Sequence, residues 1–250
     1  MTIRVAVTGA AGRMGSTGCR AVEEAEGLEL VARLDVGDEI TAAHLGGADV
    51  AVDFTVPAVA EANVHALIDA GVDAVVGTTG WTEESYARVR EHLAEPGAAG
   101  RSVLIAPNFA LSAVLAMSLA ARAARYFESA EVVELHHPDK VDAPSGTAIA
   151  TARGIAAARA EAGLGPVPDA TQADPLGARG AVVDGVHVHA VRLRGLTAHE
   201  EIVLGNPGEQ LTIRTDSFDR ASFMPGVILA VRRVGERKGL TVGLDALLDL

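Results

Sequence analysis

A chain of 250 residues with 49% hydrophobic and 22% charged positions can build one large or two modest globular domains. Its net charge of −12 excludes nucleic acid and anionic membrane as partners, since both are polyanions. Its single cysteine, Cys19, excludes an internal disulfide, and no apolar run reaches the roughly 18 residues of a membrane-spanning helix. Residues 1–15 lack a charged segment followed by an apolar one, so a signal peptide is not expected and a cytoplasmic location is. Aromatics are only 3%, so the core must come from Ala, Val, Leu and Ile, with Cys19 a small core residue.

Ile3–Thr8 is a β-branched run ending at glycine and predicts a buried strand, followed by a helix over residues 12–25. Further apolar strands are expected at residues 28–34, 50–54, 74–76 and 103–106. Helices are expected between them, one with Pro57 in its first turn and one over residues 83–93. Strands apolar on both faces that alternate with helices predict a parallel, doubly wound α/β sheet of Rossmann type.

The second half reads differently. An Ala-rich helix (111–127), a strand (132–136) and a helix (148–161) precede a Gly/Pro/Asp-rich stretch, 163–185, expected to be a long loop. Residues 186–193 alternate polar and apolar, as a half-buried antiparallel strand should. Two more strands, 199–204 and 210–215, flank the turn Gly205-Asn206-Pro207-Gly208, and residues 219–234 return to a helical pattern. This predicts a second, α+β domain over 109–216, with 1–108 plus 217–250 forming the first.

Gly9-Ala10-Ala11-Gly12-Arg13-Met14-Gly15 follows the first strand and opens a helix, as a pyrophosphate turn must: the glycines admit the phosphates and the helix N–H groups meet them. Gly9, Ala10, Gly12, Arg13, Met14 and Gly15 are therefore candidate cofactor contacts. Asp35, about 20 residues later at the end of the next strand, suits the hydroxyls of an adenosine ribose.

Residues 134–148, Glu-Leu-His-His-Pro-Asp-Lys-Val-Asp-Ala-Pro-Ser-Gly-Thr-Ala, place two histidines, a lysine and a Ser-Gly-Thr turn within one loop's reach of a helix start. Imidazoles carry protons near neutral pH, Lys140 is a fixed cation, and the turn at Ser145 presents N–H groups to an anion. Together they describe a pocket for a small carboxylate that needs a proton. A zinc site at His187 and His189, which share a strand face, is the chemical competitor, but no third ligand follows at a recognised spacing, so no metal is expected.

The string His136-His137-x-x-Lys140-x-Asp142-Ala143-Pro144-Ser145-Gly146-Thr147-Ala148 resembles the signature of the 4-hydroxy-tetrahydrodipicolinate (dihydrodipicolinate) reductase family, of the diaminopimelate route to lysine. The likeness runs from Val5–Gly15 to Phe223–Arg232. It implies an NADH- or NADPH-dependent oxidoreductase acting on a small cyclic imine dicarboxylate, with water loss, hydride delivery to ring C4 and protonation of the neighbouring carbon. It implies His136 as general acid, Lys140 beside it in the chemistry, and His137, Lys140, Gly146 and Thr147 on the carboxylates. Asp142 would hold the loop or Lys140, and Ser145 would cap the helix.

The same resemblance marks Phe54, Gly77, Thr78 and Thr79 as nicotinamide-side contacts, and Ala106, Pro107, Asn108 and Phe109 as lining the active site. It further implies a homotetramer whose substrate-domain sheets pair. Where NADP-preferring relatives often carry an arginine after the acid, Val36 follows Asp35, which favours NADH; Arg13 leaves dual use open. A different nicotinamide dehydrogenase of this architecture, and a non-catalytic dinucleotide sensor, are the competing readings.

Overall fold

The computed structural model describes residues 2–248; Met1 and residues 249–250, at the ends of the first expected domain, lie outside the described residues. The chain divides into two compact units, one running to Ala110 and resuming at Arg220, the other Leu111–Asp219.

The first unit carries a six-stranded, wholly parallel sheet. Its strands are β1 (Ile3–Thr8), β2 (Leu28–Leu34), β3 (Val50–Asp53), β4 (Asp73–Val76), β5 (Ser102–Ile105) and β11 (Gly239–Val242), in the order β11-β5-β4-β3-β1-β2. Strands β3, β4 and β5 are buried throughout, because helices cover a parallel sheet on both faces. The helices are α1 (Arg13–Glu24), α2 (Pro57–Asp69), α3 (Glu83–Leu93) and α6 (Met224–Arg233). Helix α3 shows why such segments start where they do: Thr82 and Ser85 cap each other reciprocally, with Glu83 and Glu84 in the first turn and Arg90 and His92 in the last. Its core is aliphatic, built from residues such as Leu45, Val64, Leu67, Ile68, Val89 and Ile105.

The second unit has a five-stranded mixed sheet, β10-β9-β6-β8-β7, with α4 (Leu111–Ala124) and α5 (Gly146–Glu161) on one face. Its strands are β6 (Ser129–His136), β7 (Ala181–Val183), β8 (Val186–Arg192), β9 (Ala198–Asn206) and β10 (Glu209–Ser217). Alanines of α4 and α5 pack against Val132, Val188, Ile202 and Leu204. Such small side chains let the two helices lie close together over the sheet.

Two expectations need correction. Strand β8 is antiparallel to β7 but parallel to β6. Its alternation reports a sheet covered on one face, which does not depend on strand direction, and α5 with its long loop supplies the crossover that a parallel pair requires. The loop expected over 163–185 contains β7, which turns into β8 through Asp184 and Gly185, both with positive φ (47° and 86°). The helical pattern expected over 219–234 is met by α6, and after it β11 adds to the first sheet beside β5.

Candidate active site

In a parallel sheet all strand C-termini share one edge, so the first unit gathers the loops after β1, β2, β3, β4 and β5 on the same side. The loop after β1 is the most constrained. Gly9 has φ +71°, and a Cβ there would lie 2.6 Å from the Phe54 carbonyl oxygen. A Cβ on Gly15 would lie 2.0 Å from the Gly9 oxygen. Gly12 caps α1 without any side-chain hydrogen bond, so the first-turn N–H groups of that helix are not claimed by a capping side chain.

Asp35 fastens this loop to β2. One carboxylate oxygen accepts from the Ala11 N–H at 2.5 Å and the other from the Val36 N–H at 2.8 Å, and these two bonds hold its pKa below the usual aspartate value. Gly9, Gly12, Asp35 and Phe54 line one cleft of about 400 Å³, together with Thr8, Val36, Gly37, Asp38 and Asn63. The cradle a Cβ would fill, the uncapped helix and the acid at the end of β2 fit a dinucleotide.

The remaining expected cofactor residues lie on the same edge without lining that cleft. Ala10, Arg13 and Met14 belong to the glycine loop and the start of α1. The Phe54 ring meets Phe109 edge to face at 6.4 Å and lies so close over Gly77 that a Cβ there would be 2.4 Å from it. The Thr78 hydroxyl donates to Asp53 at 2.8 Å. Thr79 follows in the same loop and Ala106 and Pro107 follow β5, where the Asn108 side-chain oxygen accepts from the Ala110 N–H at 2.8 Å.

Asp53 precedes Phe54. It is fully buried at the end of β3 and accepts from Thr8 Oγ1, the Thr55 N–H and Oγ1, Asn63 Nδ2 and Thr78 Oγ1 at 2.8–3.2 Å. Five neutral donors thus tie three of the ligand-side loops to one carboxylate.

In the second unit the signature folds as a strand end, a loop and a helix start. His136 is the last residue of β6. Its Nδ1 lies 2.6 Å from Glu134 Oε2, and the Glu134 side chain is 1% exposed. Glu134 also accepts from both terminal nitrogens of Arg192, each at 2.7 Å, and from the Ser145 N–H at 3.0 Å. Arg192 continues to the Asp142 carbonyl oxygen at 2.7 Å. Burial alone would raise the Glu134 pKa, but the bonds from Arg192 and His136 outweigh it and hold the carboxyl below its usual range. Burial lowers the His136 pKa, with Glu134 opposing that push.

His137 is exposed in the loop and Lys140 half-buried, its ammonium 2.6 Å from Asp142. Ser145 caps α5 by accepting from the Ala148 N–H at 3.1 Å, and Gly146 and Thr147 open that helix. His136, Lys140, Gly146 and Thr147 are thus bound into one network, His136 and the helix start through Glu134, Lys140 through Asp142 and Arg192. Glu134 and Arg192 were not picked out from sequence. The alternation of β6 puts 134 and 136 on one face, a signal that was present, but Arg192 sits 56 positions from His136 and only the parallel β6–β8 pairing, His136 opposite Arg192, brings it near. His187 and His189 are taken by carboxylates, Asp169 at 3.1 Å and Glu131 at 2.8 Å.

Known proteins carry both halves. The family models for the N-terminus and the C-terminus of dihydrodipicolinate reductase match residues 3–109 and 112–248. The chain is 70% identical to 4-hydroxy-tetrahydrodipicolinate reductase of Beutenbergia cavernae over 100% of both chains. It is 65% identical to the protein of that name from Bifidobacterium animalis subsp. lactis, over 99% of this chain and 100% of the relative. A solved structure of a dipicolinate-bound dihydrodipicolinate reductase from Paenisporosarcina sp. TG-14 superposes with a TM-score of 0.87 at 37% identity, over 99% of this chain and 100% of the other.

Proposed function

The chain belongs to the dihydrodipicolinate reductase family of NAD(P)H-dependent oxidoreductases, and we propose that its own residues reduce 4-hydroxy-tetrahydrodipicolinate to tetrahydrodipicolinate in the diaminopimelate route to lysine. The observation that carries the residue assignment is the Glu134-centred network, which puts a proton carrier, a lysine and a helix start within one unit. The 4-hydroxyl leaves as water, and a bound nicotinamide cofactor would supply the hydride that reduces ring C4. His136 gives the proton to the neighbouring carbon. His137 and Lys140 pair with one carboxylate of the substrate, while Gly146 and Thr147 take the other at the start of α5, where helix N–H groups favour an anion.

The glycine loop Gly9–Gly15 and Asp35 hold the dinucleotide, with Phe54, Gly77–Thr79 and Ala106–Phe109 on the nicotinamide side. We read NADH as the favoured cofactor. Asp35 carries a fixed negative charge, and Val36 brings no cation to offset it against a 2′-phosphate. No metal takes part. The reading extends to a cytoplasmic homotetramer that pairs through the face of the second sheet away from α4 and α5.

Oxidation of NADH and of NADPH, followed at the nicotinamide absorbance with substrate formed in situ by a dihydrodipicolinate synthase, tests the reaction. Synthase-dependent oxidation is expected, with dipicolinate inhibiting competitively. A folded protein that binds NADH yet oxidises neither cofactor would leave a sensor or another dehydrogenase in its place. Light scattering of the eluting protein checks the tetramer.

A further inference from the structure

We propose that Glu134 is a positioning residue of this reaction: clamped by Arg192, its carboxylate fixes the proton of His136 on Nδ1 and holds the start of α5 in register with that histidine. The inference rests on the reading of His136 as proton donor.

A carboxylate only accepts, so the 2.6 Å contact requires the hydrogen to be on Nδ1. That leaves Nε2 as the working atom. In the protonation step the Nε2–H bond breaks, a C–H bond forms on the substrate carbon, and the ring is left neutral with its remaining proton on Nδ1. Glu134 supports the imidazolium beforehand and selects the correct tautomer afterwards. The clamp keeps the carboxylate in place: Arg192 meets both its oxygens at 2.7 Å and anchors at the Asp142 carbonyl, in the loop whose lysine is tied to Asp142. The Ser145 N–H on the same carboxylate joins proton donor and carboxylate cradle through one buried atom group. The charged or titratable groups around the pair are Arg192 from β8, Lys140 from the loop and Glu200 from β9, which stands opposite Glu134.

Wild type, Glu134→Gln, Glu134→Asp and His136→Gln, assayed across the neutral pH range, test this. Glu134→Gln should lose kcat by roughly 10²- to 10⁴-fold. The alkaline limb of its kcat profile should also move to lower pH, because the imidazolium has lost its supporting charge. Nitrogen-15 spectra of histidine-labelled protein should show the Nε2–H tautomer appearing. Glu134→Asp, which keeps an ionised acceptor, should return the limb towards the wild-type position. A residue that only stabilises the fold would leave the limb and the tautomer unmoved, and that outcome overturns the proposal. If His136→Gln keeps its turnover, the donor assignment itself is wrong. If His136→Gln is inactive while Glu134→Gln keeps its rate and limb, the positioning role alone falls. Should Glu134→Gln fail to fold, the wild-type spectrum decides: neutral His136 protonated on Nδ1 supports the proposal, and protonated on Nε2 overturns it.

Discussion

Glu134 and Glu200 stand directly opposite each other across the antiparallel β6–β9 ladder, and both are buried. Glu134 is held by Arg192, His136 and Ser145, whereas Glu200 has only the Thr151 hydroxyl close by, and that hydroxyl donates to the Thr147 carbonyl oxygen instead. Two adjacent buried carboxylates cannot both ionise cheaply, and the cation side of the pair has gone to Glu134. Burial, with the Glu134 charge beside it, pushes Glu200 up to about 7 from 4.5.

Glu200 should therefore make stability fall as pH rises. Between its unfolded pKa and about 7 the unfolded chain releases a proton that the folded chain keeps. The cost is absent below that window, grows through it and levels off above. Glu200→Gln removes the titration. Its stability relative to wild type should rise by roughly 3 kcal/mol from the acid to the alkaline side of the window. Urea unfolding of both proteins on either side measures this, and an unchanged difference would show Glu200 to be ionised when folded.

Asp53 does for the first unit what Glu134 does for the second, without a cation. Replacing it by Ala strands the hydroxyls of Thr8, Thr55 and Thr78 and the amide of Asn63 in a buried space. A loss on the order of 3 kcal/mol or more is expected, since each unsatisfied buried donor costs about 1–3 kcal/mol. NADH affinity should fall as well, because the loops after β1, β3 and β4 share this one acceptor. Denaturant unfolding and fluorescence titration with NADH read the two effects separately.

Gly15→Ala tests the cradle by space alone. The added methyl would lie 2.0 Å from the Gly9 oxygen, so α1 and the glycine loop must separate. NADH binding should weaken by at least about tenfold, the equivalent of one good hydrogen bond to a charged group. Dipicolinate binding by the second unit, measured by calorimetry without cofactor, should stay near the wild-type value. Loss of both together would mean that the substitution unfolds the chain.

Much of this was readable from local order in the chain. The largely apolar segments expected as strands at 3–8, 50–54 and 103–106 announce β1, β3 and β5, and Ser145 announces its helix through the residue type that a cap needs. Strand β7 was lost because three residues are too few for a periodic signal, although Asp184-Gly185 between valines is a hairpin turn in sequence as well. Glu134, Arg192 and Asp53 share a harder problem: their meaning depends on partners brought in by sheet pairing. A glutamate two residues before a histidine is ordinary until the strand fixes both on one face and β8 delivers the guanidinium. Asp53 became legible only once the loops after β1 and β4 were seen to converge on it.

The NADH preference proposed for this chain turns on a residue with two tasks. Asp35 fastens the glycine loop through the Ala11 N–H and keeps its charge beside the cleft, where Asp38 adds a second acid whose carboxylate accepts from the Asp35 N–H at 2.8 Å. A 2′-phosphate would meet both negative charges, and Val36 offers nothing to neutralise it. Asp35→Ser should therefore weaken NADH binding through the lost ribose acceptor and the loosened loop. It should also raise the ratio of kcat/KM for NADPH over NADH by about tenfold. Adding Val36→Arg should raise the ratio further by supplying a bidentate partner for the phosphate. Because Val36 is fully exposed, that second change should leave the unfolding midpoint where the single variant has it. Steady-state rates with both cofactors decide the matter. An unchanged ratio in the double variant would mean that discrimination is made elsewhere, with Arg13 at the start of α1 the next residue to test.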